Sequence, residues 1–282
     1  MISLIKIKKD QFAHRFLNRM IGLFLGNTDF PKFVLNKIKK QKKKYFIVDL
    51  TKYNSFKKDK NCYFINIGKF GKILDLINQK KCKKVLFAGR IDKPKLSNLK
   101  LDFKGIYYIP RIIRSSKLGD AAILKELIKI LAENKIKVIK SNFFNPELTL
   151  LKGIFGKNKP NKLDLVDIKK GIKSLNKLNA HNHVQGLIIR GGTIIAKETS
   201  KGTKKMIQSV KNNKKNQGIL IKFPKKKQDL RADLPTIGLD TLKDCKKSKL
   251  KGIVLKSNQN IFMNKNMCIK FANKNKIFIK VI

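Results

Sequence analysis

The chain has 282 residues, 42% of them hydrophobic, enough for one large or two ordinary domains and too apolar for wholesale disorder. Lysine and arginine number 67 against 18 acids, a net charge of +49, which favours a phosphate-bearing, negative partner. The four cysteines lie far apart with no C-x-x-C pair, which argues against a zinc site or a disulfide framework.

In chain order, residues 1–18 read as a charged extension or a first strand. The apolar run 20–25 ends at Gly26 and is too short for a secretory core. A turn at 27–31 leads to a helix over 32–40. Strands are predicted at 44–49 and 62–67, then a helix over 70–80 with Ile73, Leu74 and Ile77 on one face. The strand 85–88 is closed by Gly89-Arg90. Leu118-Gly119-Asp120 opens a helix reaching about 134, with Asp120 as its expected N-cap. A short strand, 136–139, follows. Strands alternating with helices predict a parallel sheet covered on both sides, a Rossmann-like domain over 1–140. Its strand-end glycines fall where such sheets bind ligands, but G-x-G-x-x-G is missing, so a dinucleotide site has little support.

The pattern changes near Ser141. Pro146, Gly153, Gly156 and Pro160 suggest a linker or lid-like loop over 141–166. A helix over 165–178 precedes short strands at 186–189, 193–196, 218–223, 251–255, 260–263 and 276–282. Gly191-Gly192 is a hairpin turn between the first two, and 240–247 is a short helix. The second domain, 141–282, is therefore expected to be α/β with hairpins, with a cleft between it and the first. No run approaches the roughly 20 apolar residues of a membrane span. The expectation is a cytoplasmic protein able to lie against an anionic membrane.

The basic excess invites a nucleic-acid reading. The lysines, however, are spread along the whole chain among asparagine and isoleucine, and no zinc-finger spacing, RNP motif or G-x-x-G clamp occurs. Weak, salt-sensitive binding follows from charge alone; specific binding is not expected.

The segment Arg231-Ala232-Asp233-Leu234-Pro235-Thr236-Ile237-Gly238 carries the strongest chemical signal. Leu234 is biased to extended backbone by Pro235, which fixes its own φ. Asp233 is thereby pinned, in a chain poor in acids, as a candidate to anchor magnesium or orient water; the bland alternative is a turn-capping aspartate. Glu198 precedes a glycine turn with hydroxyls, Thr199 to Thr203, where Gly202, Thr203 and Lys204 are candidate phosphate contacts; the alternative is an ordinary polar loop. Arg90, Arg190 and Arg231 stand out because lysine dominates elsewhere, and a planar guanidinium can clamp phosphate. Arg111 and Arg114 face either solvent or substrate. His181 and His183 lack a third ligand partner and read as ordinary histidines.

The segment 231–238 closely resembles the signature of magnesium-dependent, two-domain bacterial UDP-2,3-diacylglucosamine pyrophosphatases. Supporting stretches are Ile67-Gly68-Lys69-Phe70-Gly71-Lys72, Phe87-Ala88-Gly89-Arg90-Ile91-Asp92-Lys93-Pro94, Leu118-Gly119-Asp120-Ala121, Val184-Gln185-Gly186 and Ala196-Lys197-Glu198. The resemblance implies hydrolysis of UDP-2,3-diacylglucosamine to UMP and 2,3-diacylglucosamine 1-phosphate, a step in lipid A synthesis at the cytoplasmic face of the inner membrane. It implies attack by water on the uridine-side phosphorus, Asp233 as the catalytic aspartate, a homodimer, and a lipid product held between the domains. On this basis Gly26, Gly89, Arg90, Asp120, Gln185, Arg190, Gly202, Thr203, Lys204, Arg231 and Thr236 are candidate substrate contacts, and Asp233 with Glu198 candidate Mg²⁺ ligands. The chain departs from the family pattern at several acidic positions, which here are Ala121, Gly191, Lys201 and Lys204. The alternatives are a divergent nucleotide- or lipid-binding protein without this activity, or a basic nucleic-acid-binding protein.

Overall fold

A computed structural model of the chain describes residues 19–91, 99–182, 184–210, 217–226 and 228–282. The extension over 1–18, the Asp92-Lys93-Pro94 stretch and His183 lie outside the described residues. The chain forms two compact units. The first runs to Asn145 and also takes in Arg231–Asp233; the second comprises Pro146–Leu230 and Leu234–Ile282.

The first unit holds strands β1 (Ile21–Leu25), β2 (Tyr45–Asp49), β3 (Cys62–Tyr63), β4 (Lys84–Ala88) and β5 (Lys137–Ile139). Their order is β3-β2-β1-β4-β5, and each neighbouring pair is parallel. All five residues of β1 are buried, as expected of a central parallel strand covered on both faces. Helices α1 (Phe30–Lys40), α2 (Phe70–Gln79), α3 (Phe103–Ser116) and α4 (Asp120–Glu133) belong to the same unit. α1 buries Phe30, Val34, Leu35 and Ile38, a stripe at helical spacing. The parallel α/β architecture read from the sequence is thus the one observed.

Two local expectations are corrected here. Asp120 is not the N-cap of α4. Gly119 occupies that position at φ +97, and Asp120 is the first helical residue, where its charge suits the helix dipole. Helix α3, not anticipated, fills part of the crossover to β5; its internal Pro110 weakened the helical signal.

Asp102 explains why α3 begins where it does. Its Oδ1 accepts from the backbone N–H of Gly105 at 2.8 Å and of Gly71 at 3.0 Å, and its Oδ2 from Lys72 at 3.0 Å. One carboxylate therefore caps the N-termini of α2 and α3 together. Desolvation raises its pKa, but the backbone hydrogen bonds from Gly105, Gly71 and Lys72 outweigh this and hold it below the usual 3.8. A depressed folded-state pKa means that the stabilisation is complete above the unfolded value and is lost as pH falls through the folded one. Asp102→Ala should cost about 1–3 kcal/mol at neutral pH. In urea titrations the gap between wild type and variant should close as pH drops below 3.8. A gap that persists undiminished in acid would mean that the carboxylate charge is not what caps.

Arg111, on α3, binds across to α4. Its Nε donates to Glu126 at 2.7 Å, and its two terminal nitrogens to the Glu133 carboxylate at 2.7 Å each. The sequence left this arginine to face solvent or substrate; in the structure it clamps α3 to α4.

The second unit contains a six-stranded sheet of β6 (Gly153–Phe155), β7 (Gly186–Arg190), β8 (Thr193–Lys197), β9 (Gly218–Lys222), β11 (Leu250–Leu255) and β13 (Phe278–Val281). The order is β6-β13-β11-β9-β7-β8. β9, β11 and β13 are mutually parallel, while β7 is antiparallel to both β8 and β9, and β6 to β13. A separate two-stranded ribbon pairs β10 (Thr236–Ile237) with β12 (Ile261–Phe262) in parallel. β7 and β8 form the expected hairpin. Gly191 and Gly192 both have positive φ, and their N–H groups donate to the Asp167 carboxylate at 2.9 and 2.5 Å.

Helix α5 (Lys162–Asn182) covers one face of this sheet, packing Ile168 and Leu175 against Leu187, Ile219 and Phe278. Helices α6 (Gly202–Gln208), α7 (Leu239–Lys247) and α8 (Lys265–Lys274) cover the other. Two segments differ from the sequence expectation. The proposed loop 141–166 contains a 3₁₀ turn at Pro146–Leu148 and strand β6. The polar-looking stretch before β13 is α8, which buries Cys268 and Ala272. The four cysteines are free thiols, and burial pushes Cys62 and Cys268 up to about 11.

Candidate active site

A doubly wound sheet presents its ligand crevice where consecutive strands diverge to opposite sides, at the carboxyl edge. Here that point lies between β1 and β4. Gly26 follows β1, and Gly89-Arg90 follow β4. The two loops are zipped together. Asn27 N–H donates to the Arg90 carbonyl at 2.7 Å, and Arg90 N–H to the Asn27 carbonyl at 2.9 Å. This close approach accounts for both glycines. A Cβ on Gly26 would sit 2.4 Å from the Arg90 carbonyl oxygen, and one on Gly89, at φ +86, 2.5 Å from that of Asn27. Their backbone roles are thus explained by packing, while the Arg90 side chain remains exposed.

The Asp233 segment reaches the same edge by a route no local pattern shows. Ser141 lies two residues beyond β5, and its N–H donates to the Arg231 carbonyl at 2.6 Å. Ala232 packs against the core of the first unit. Arg231–Asp233 are accordingly held at the carboxyl side of β5, the neighbour of β4. From Leu234 onward the chain belongs to the second unit. There the Pro235 carbonyl accepts from Ile261 N–H at 3.0 Å and the Ile237 carbonyl from Met263 N–H at 2.8 Å. The segment is thus fastened by backbone hydrogen bonds on both sides of Asp233, which is itself half-buried. The Arg231 and Thr236 side chains are exposed, and the Thr236 hydroxyl lies 3.4 Å from the Leu234 carbonyl. Asp120 is exposed at the start of the helix that returns to β5.

A second constellation lies wholly within the second unit. Glu198 and Lys222 are 8% and 3% exposed, and Lys222 Nζ is 3.1 and 3.2 Å from the two Glu198 oxygens. Thr203 donates to Glu198 Oε1 at 2.8 Å and is itself hydrogen-bonded by Lys222, while Gln185 Nε2 approaches the same oxygen at 3.4 Å. Asn260 donates to the Lys222 carbonyl at 3.1 Å. A buried charge is tolerated only when paired and hydrogen-bonded, and this network satisfies that condition. Gln185 and Thr203 thus meet Glu198 in one buried network. Gly202, at φ +81, opens the short α6, and Lys204 is exposed on it. Arg190 closes β7 opposite Thr193 in the hairpin register.

Lys222 was missed by sequence reasoning. The only trace was a charge in the otherwise apolar run Gly218-Ile219-Leu220-Ile221-Lys222-Phe223, a weak signal in a chain so rich in lysine. Ser141 was missed because it acts through its backbone. His181 falls in the last turn of α5.

Among the described residues, no three His, Cys, Asp or Glu side chains converge as a metal cage. Magnesium needs none, since it keeps several waters and is commonly held by one or two carboxylates together with substrate phosphates. Asp233 fits that donor set. Glu198 does not in this arrangement, because both its oxygens are engaged by an ammonium.

Residues 20–148 match the sequence model of the LpxI N-terminal domain, and residues 151–280 that of the LpxI C-terminal domain. Among curated proteins, the UDP-2,3-diacylglucosamine pyrophosphatase LpxI of Caulobacter vibrioides is 28% identical over 223 residues, covering 76% of this chain and 80% of the relative. With both domain models matched in order along a two-unit α/β fold, the chain belongs to the LpxI family.

Proposed function

We propose that this protein hydrolyses the pyrophosphate bond of UDP-2,3-diacylglucosamine, releasing UMP and 2,3-diacylglucosamine 1-phosphate for lipid A synthesis. The observation that carries this reading is the fastening of Arg231–Asp233 to the carboxyl edge of the parallel sheet through Ser141 and Ala232. That edge is where α/β sheets receive phosphate ligands, and family membership gives the substrate class.

A water oxygen forms a bond to one phosphorus of the pyrophosphate, the bond from that phosphorus to the bridging oxygen breaks so that the bridging oxygen leaves with the other phosphate, and the water proton passes to solvent. Asp233 orients the water and is the carboxylate that would hold magnesium. When bound, the ion neutralises nonbridging oxygens and polarises the phosphorus. The exposed guanidinium of Arg90 at the switch point and the net charge of +49 favour the pyrophosphate and the developing charge on the leaving phosphate. We assign Glu198 to the buried pair with Lys222, a structural role supporting the loop that carries Gly202, Thr203 and Lys204. The first unit also holds an apolar cavity of about 100 Å³ under α3 and α4, lined by Ile67, Phe70, Ile109, Ile112 and Leu127. The homodimer and cytoplasmic, membrane-peripheral location implied by the resemblance form part of the same reading.

The test is UMP release by the full chain from the authentic substrate. Release should stop on chelation with EDTA and return with Mg²⁺. Undiminished release in EDTA would remove the metal from the reading, and no release by folded protein in Mg²⁺ would overturn the hydrolase itself.

A further inference from the structure

Helix α3 is apolar on two opposite sides. At 100° per residue, Gly105, Tyr108, Ile109, Ile112 and Ser116 fall on one arc and line the cavity beneath the helix. Phe103, Ile106 and Tyr107 fall on the other side, with Ile113 on its flank, and they are 92%, 57%, 73% and 38% exposed. Leu118, just past the helix end, is 71% exposed. A helix on a protein surface ordinarily turns a polar face to water, whereas this one presents large apolar side chains at i, i+3 and i+4. Arg114 and Lys117 fall within the same arc, between these apolar side chains, and are exposed.

We propose that the outer face of α3 docks on an anionic bilayer, with Phe103, Ile106, Tyr107, Ile113 and Leu118 entering the headgroup boundary and Arg114 and Lys117 contacting lipid phosphates. This rests on the preceding reading of the substrate. A doubly acylated substrate resides in a membrane, and no described helix is long and apolar enough to cross one. The enzyme therefore meets its substrate from the surface, which an amphipathic interfacial face achieves. Charge points to the occupant of the face. The net charge of +49, with the exposed Arg114 and Lys117 on the face itself, is complementary to an anionic lipid surface.

The experiment compares the full wild-type chain with the triple variant Phe103→Ser, Ile106→Ser, Tyr107→Ser. Vesicles are phosphatidylcholine alone or phosphatidylcholine with phosphatidylglycerol, and sedimentation is read without substrate. Wild type should bind the anionic vesicles preferentially, and the variant about tenfold or more weakly. Turnover of substrate embedded in vesicles should fall in parallel, while turnover of detergent-dispersed substrate stays within about twofold, because these side chains take no part in the chemistry. Equal vesicle binding by variant and wild type would overturn the proposal. So would a change from dimer to monomer with vesicle binding intact, which would make the face a protein contact. The two readings fail separately. Vesicle binding through α3 without UMP release removes the hydrolase and leaves the docking surface, while UMP release with unchanged vesicle binding does the reverse.

Discussion

Asp233→Asn is expected to lower UMP release by at least about 10³-fold, corresponding to roughly 4 kcal/mol of lost transition-state stabilisation. Asparagine has nearly the shape of aspartate but no charge. It therefore removes the carboxylate needed to orient water and hold magnesium against a diphosphate. The backbone fastening through Arg231, Pro235 and Ile237 is untouched. Stability measured by urea denaturation should then shift by no more than about 1 kcal/mol. The loss should appear in kcat rather than only in KM, because the interaction matters most where charge develops. A variant that retains a tenth or more of wild-type kcat would show that the reaction is carried elsewhere.

Lys222→Met should be the most destabilising single change in the second unit, costing about 3–5 kcal/mol. It leaves the buried Glu198 carboxylate without its ammonium, and Thr203 and Gln185 only partly compensate. Changing both partners, Glu198→Gln with Lys222→Met, removes both charges and should recover a large part of the loss. Denaturation midpoints of the single and double variants, read on the full chain, give the coupling. Additive effects would mean that the pair is not what stabilises this core. Folded Glu198→Gln should also keep its Mg²⁺ requirement for UMP release; a sharply raised requirement would restore Glu198 as a metal ligand.

The parallel sheet was readable because its strands are buried on both faces and so appear as short continuous apolar runs, as in Ile21–Leu25 and Lys84–Ala88. α3 and α8 were not. Their helical signal is blurred by Pro110 and by a lysine- and asparagine-rich sequence, and they are held by capping and packing instead. The hairpin at Gly191-Gly192 was legible because paired glycines permit a tight turn, but the parallel pairing of β9, β11 and β13 joins strands far apart in sequence.

The same division applies to the chemistry. The chain by itself determined the net charge, the alternation of strand and helix, and the pinned carboxylate beside Pro235, because these depend on composition and neighbouring residues. Only the tertiary structure decided that Asp102 caps two helices, that Lys222 meets Glu198, and that Arg231 hangs from Ser141. Each of those contacts joins residues 24 or more apart in sequence or works through the backbone of one partner, and so leaves no periodicity or spacing to read.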